Sequence, residues 1–99
     1  MLIRSDLSLP QQLVQAAHAA HEAGRHLAER SPVLSSLIAC ALPSERALFE
    51  AYQRLTFRGI RCALFREPDL GHQATALATE PLDRDRSAVL SRYPLWKGA

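Results

Sequence analysis

Ile60-Arg61-Cys62-Ala63-Leu64-Phe65-Arg66-Glu67-Pro68-Asp69-Leu70-Gly71-His72-Gln73-Ala74-Thr75-Ala76-Leu77-Ala78-Thr79 decides the architecture. Residues 60–66 form a mainly apolar run, and residues 73–79 alternate Gln, Thr, Leu and Thr against alanines. Both read as strands, the second with one very small face. Between them Glu67-Pro68-Asp69-Leu70-Gly71 interrupts the pattern with proline and glycine. So short a connection cannot carry a crossover, so these two strands pair antiparallel.

Toward the N-terminus, Pro43-Ser44-Glu45 opens a helix whose inner face is Ala47, Leu48, Ala51, Tyr52 and Leu55, with Arg58-Gly59 as its stop. Before it, residues 33–42 are apolar except for Ser35 and Ser36, as expected of a strand covered on both faces. An earlier helix begins near Leu9, where Ser8 and Gln11 have capping-box spacing and Pro10 suits a first turn; Ser31-Pro32 ends it. Leu13, Ala17, Ala20, Gly24 and Leu27 share one side of this helix and form the stripe expected to face the sheet, with Gly24 permitting close approach. Residues 1–4 are a short strand ending at Ser5-Asp6. After Thr79, Pro81-Leu82-Asp83 starts a short helix reaching about Ser91, and Tyr93-Pro94-Leu95-Trp96 forms a tail that packs.

The order is therefore β-α-β-α-β-β-α. Two strand-helix-strand units imply a four-stranded, mostly parallel mixed sheet with helices on both faces, an α/β fold. Ninety-nine residues support one core, so residues 1–99 form a single domain. Apolar residues at 47% and charged residues at 22% exclude a disordered or fibrous chain. No apolar run approaches the roughly 20 residues of a membrane span, and the start lacks the pattern of a secretion signal, so a cytoplasmic protein is expected. Cys40 and Cys62 lie inside apolar segments and read as reduced core thiols. The net charge is +2, with arginine outnumbering the single Lys97, which permits nucleic-acid contact without demanding it.

In such sheets, ligand sites gather where strands hand over to loops and helix starts. Two places qualify: the turn Asp6-Leu7-Ser8 with the first turns of the first helix, and residues 67–71 with Gln73 and Thr75. Gln15, His18 and Glu22 share a helix face, with His21 and Arg25 beside them. This face suits either a solvated surface or a general base with a neighbouring amide. His18-x-x-His21 lacks the ligand spacing of a helical zinc site, and no metal or other cofactor is expected. The sequence carries no phosphate-binding loop, dinucleotide fingerprint or Gly-x-Ser-x-Gly elbow.

Arg4-Ser5-Asp6-Leu7 followed by Gln15-Ala16-Ala17-His18-Ala19-Ala20 resembles the opening signature of the type II peptidyl-tRNA hydrolases. In that family an Arg-x-Asp-Leu strand end leads into a helix bearing Ala-Ala-Gln-x-x-His-Ala. Pro43-Ser44-Glu45, the segment 67–71 and Thr75-Ala76-Leu77-Ala78-Thr79-Glu80-Pro81 are similar to later family segments, so the resemblance spans nearly the whole chain. It implies hydrolysis of the ester in peptidyl-tRNA. His18 would polarise or deprotonate, Gln15 would position, Glu67 or Asp69 would orient water or base, and Thr75 would hydrogen-bond the substrate. Arg4, Asp6, Gln11 and Gln73 are the accompanying candidates for substrate binding. The resemblance also implies tRNA or peptidyl-tRNA as partner and a homodimer. The chain departs from the family where a lysine-bearing stretch is replaced by Ser8-Leu9-Pro10-Gln11-Gln12. That departure motivates the alternative of a relative that binds RNA or protein without catalysis.

Overall fold

The structure is a computed structural model, and it describes residues 1–27 and 37–98. Its elements run β1 (Leu2–Arg4), α1 (Leu9–His26), β2 (Cys40–Leu42), α2 (Glu45–Phe57), β3 (Cys62–Glu67), a 3-10 turn (Pro68–Leu70), β4 (Gln73–Thr79), α3 (Arg84–Ser87) and a second 3-10 segment (Ala88–Arg92). The expected order of strands and helices is present. Side-chain caps set the helix starts: Ser8 Oγ accepts from the Gln11 amide of α1, Ser44 Oγ from Ala47 of α2, and Asp83 from Arg86 of α3. Only half of the capping box forms at α1, because the Gln11 side chain accepts from Gln15 Nε2 instead.

The strands lie in the order β2-β1-β4-β3, a mixed sheet. β1 and β2 are parallel, whereas β4 is antiparallel to both β1 and β3. The expectation of a mostly parallel sheet is thereby corrected. β1, β2 and β3 all run in one direction, but β4 inserts between β1 and β3 and leaves a single parallel pair. The short connection does make β3 and β4 antiparallel, as its length requires. β2 is shorter than residues 33–42: it spans Cys40–Leu42, Leu37 is exposed, and residues 33–36 lie outside the described residues. The expected end of the first helix at Ser31-Pro32 also lies outside them.

Each sheet face has its own helix and its own core. Leu2, Leu42, Leu48, Ala51, Leu55, Ile60 and Leu77 form the larger cluster, on the α2 side, with Val89 added from the C-terminal segment. The inner face expected of α2 is the one buried. On the α1 side the cluster is small, built from Ala19, Ala23, Ala76 and Ala78 with Ala63 and Phe65 against it. Alanine on both surfaces lets the helix lie close to the sheet without large side chains between them.

Of the apolar stripe expected to face the sheet, only Leu27, at the helix end, packs against the sheet-side cluster. Leu13 is 70% exposed, Ala17, Ala20 and Gly24 are exposed, and nothing lies within 4 Å of the position a Cβ would take at Gly24. The helix is turned by about one residue, or ~100°, so that Gln12, Gln15, Ala19 and Ala23 are buried. Burying an amide costs little when both its ends are hydrogen-bonded, and partners for Gln12 and Gln15 come from distant parts of the chain.

The tail after residue 92 packs, as expected. Ala41 N donates to Pro94 O and Trp96 N donates to Ala39 O, and Leu95 pairs with Cys40. The outer edge of β2 is thus covered, which removes one open strand edge.

Candidate active site

The C-terminal ends of β1 and β3, the start of β4 and the start of α1 meet at one end of the sheet, because β4 runs against its two neighbours. Both places singled out in the sequence therefore lie at that end. β1 stops at Arg4 while β4 continues toward Gln73, which leaves the Ala74 peptide groups beyond the β1 ladder. Side chains take over there. Arg4 Nη1 donates to Ala74 O at 3.1 Å, and the Ala74 amide donates to Glu45 Oε2 at 2.7 Å.

Arg4 is 7% exposed and each of its three guanidinium nitrogens has a partner. Nε and Nη2 donate to the two oxygens of Asp6 at 2.9 and 2.7 Å, a planar fork, while Nη1 also reaches Gln73 Oε1 at 2.9 Å. The Arg4 hydrogen bonds hold the Asp6 carboxyl below its ordinary range, against the opposing effect of burial. Arg4, Asp6 and Gln73 are thus brought together as one cluster.

Beneath α1, Thr75 Oγ1 donates to Gln15 Oε1 at 2.8 Å, and Gln15 Nε2 donates to Gln11 Oε1 at 3.1 Å. Gln15 and Thr75 are both inaccessible to solvent, and Gln11 is exposed. A register irregularity assists: Phe65 pairs with Ala76 and Arg66 with Ala74, so Thr75 has no directly opposed partner on β3. Gln15 and Thr75 are interior groups, and the Thr75 hydroxyl, expected to hydrogen-bond a substrate, donates to Gln15 inside the protein.

His18, one helical turn beyond Gln15, is exposed. Its imidazole stacks on Phe65 of β3 with ring centroids 4.4 Å apart and planes 7° from parallel. Arg66 turns to the opposite face, over the Phe49 ring of α2. Strand alternation returns Glu67 to the face that carries Phe65, about 6–7 Å further along β3. Glu67 is half-buried and Asp69, in the following turn, is exposed. Among the described residues neither carboxylate is in an ion pair or a side-chain hydrogen bond. The turn closes with His72 N donating to Glu67 O at 2.9 Å, and Gly71 and His72 both take left-handed φ, 66° and 61°.

The structure adds residues that periodicity does not single out. Gln12 Nε2 donates to Ser5 O and Leu7 O, and its Oε1 accepts from Trp96 Nε1 at 2.7 Å, so one amide ties the turn before α1 to the tail. Glu45 is visible in sequence only as the first residue of a helix, and Phe65 only as a strand apolar. No motif spacing connects either to the site. Among the described residues, no three His, Cys, Asp or Glu side chains group closely enough to hold a metal ion, and no helix is long and apolar enough to cross a membrane. No known family model matches the chain, and no curated protein matches it in sequence.

Proposed function

We propose that the chain is a peptidyl-tRNA hydrolase-like protein that cleaves the ester between a peptide and the terminal ribose of tRNA. The observation that supports this reading is the buried Gln15–Thr75 bond, which holds α1 on the sheet below His18, whose exposed ring lies against Phe65 on the strand that ends at Glu67. In this reading His18 takes a proton from water as the water oxygen attacks the ester carbonyl. The bond from the carbonyl carbon to the ribose oxygen then breaks as the imidazolium returns its proton to that oxygen, giving the free ribose hydroxyl and the peptide acid. Glu67 favours the transient imidazolium through its charge, with Asp69 as the second acid of the same turn. Gln15 and Thr75 hold the helix that presents the base, and Gln11 is the exposed end of their chain of hydrogen bonds.

Of the second reading, a relative that binds RNA or protein without hydrolysis, the protein-binding form is favoured by the state of Arg4. All three of its guanidinium nitrogens already have partners within the protein, so it offers no free cation to a substrate phosphate.

One assay decides between the two. Purified protein incubated with N-blocked aminoacyl-tRNA is expected to release the blocked amino acid, and His18→Ala to lower the rate by 10²-fold or more. No release by the wild-type protein under conditions in which an authentic hydrolase is active rejects the hydrolase reading.

A further inference from the structure

We infer that the outer face of the His18 ring is a stacking platform for a nucleobase, namely the 3′-terminal adenine of the tRNA; this deepens the reading above and rests on it for the identity of the RNA. A planar ring has two faces and an edge. One face of the imidazole lies on Phe65, 4.4 Å away and nearly parallel, so the ring plane is fixed before anything binds. His18 is nevertheless exposed, so its open surface is the opposite face together with the edge. Val14 and His21, at i−4 and i+3, are its neighbours on the helix surface, and both are exposed, Val14 at 46%. A flat, pre-ordered, exposed aromatic surface matches the face of a purine, and bases of single-stranded RNA ends are bound by stacking on such side chains.

The two uses of His18 do not compete. Stacking engages the face of the imidazole, whereas proton transfer uses nitrogens on its edge. A base seated on the ring would hold the attached ribose beside the group that acts on its ester, converting base recognition into positioning of the scissile bond. Phe65 beneath is packed against the buried cluster of Ala19, Ala23, Ala76 and Ala78, so the platform rests on the core and not on a loop.

The test uses adenosine 5′-monophosphate as probe and ribose 5-phosphate as its baseless counterpart, followed by proton NMR of the intact protein. The His18 ring signals are assigned by their absence in His18→Phe. Adenosine monophosphate is expected to move these signals upfield while ribose 5-phosphate leaves them in place. His18→Phe, which keeps a flat face and loses the titrating edge, is expected to bind the nucleotide at least as well as wild type. His18→Ala, with its fold checked by circular dichroism, is expected to bind roughly tenfold more weakly. Unmoved His18 signals, or equal binding by His18→Ala, overturn the platform, and the hydrolase reading then stands or falls on its own assay. Stacking in a protein that releases no amino acid from tRNA rejects the hydrolase reading and leaves the platform in place.

Discussion

Thr75 Oγ1 and Gln15 Oε1 meet at 2.8 Å across 60 residues of sequence, and neither side chain reaches solvent. The pair joins the first helix to the central strand below His18. Thr75→Val preserves shape but leaves the Gln15 carbonyl without its donor, and is expected to lower stability by about 1–3 kcal/mol. Thr75→Ser keeps the hydroxyl and should recover the part that belongs to the hydrogen bond. Urea unfolding measures both; a valine variant as stable as wild type would contradict the bond.

Part of the acid sensitivity should trace to Asp6, together with Glu80, which the Arg61 amide and Arg86 also hold below its ordinary value. Its pKa is depressed in the folded protein by the Arg4 hydrogen bonds. Its contribution is therefore present above the unfolded value of ~3.9 and disappears as pH falls through the lower folded value. Asp6→Asn is expected to lower stability at neutral pH and to flatten the loss of stability below pH ~4. Denaturation midpoints measured from pH 2 to pH 7 for both proteins check this, and parallel curves would exclude Asp6 as the source.

Gly24 lies in the exposed stripe of α1, with open space where a Cβ would sit. Gly24→Ala should therefore stabilise the protein by roughly 0.5–1 kcal/mol through helix propensity alone. Were this residue held against the sheet, as the apolar periodicity suggests, the same change would destabilise. The sign of the shift in thermal midpoint distinguishes the two placements.

Burial, reinforced by the charge of Glu80, pushes the Cys62 thiol up to about 11. At pH 8 the thiolate fraction is then about a hundredfold lower than for a thiol at the unperturbed value near 9. Iodoacetamide should alkylate native Cys62 correspondingly slowly and react at ordinary speed once denaturant is added. Fast labelling of the folded protein, followed by mass spectrometry, would show that the thiol is more accessible than its surroundings indicate.

The parts of the fold that local pattern determines are legible in the sequence. The bounds of β4, the Ser8 cap of α1, the inner face of α2 and the antiparallel turn at 67–71 all follow from spacing within a few residues, whereas the third helix, expected from Pro81 to about Ser91, is α-helical only over Arg84–Ser87. The rotation of α1 does not, since hydropathy ranks Leu13 above Gln12 and Gln15 for burial. The glutamines are buried because Trp96 and Thr75 arrive from far along the chain to satisfy them. The same limit applies to the site. Helical spacing places Gln15 and His18 on one side of α1, but only the assembled sheet brings Thr75 beneath the first and Phe65 beneath the second.

Insertion of β4 between β1 and β3 also governs the order in which the molecule is completed. The strand made last is the one that holds the sheet together, so an emerging chain that stops before residue 73 has β1 and β2 to pair while β3 stands without a neighbour. A ribosome must extrude the chain through Thr79 before the two hydrophobic layers can close. Until then each is an open surface, and the interval before β4 emerges is when this protein is most vulnerable to aggregation.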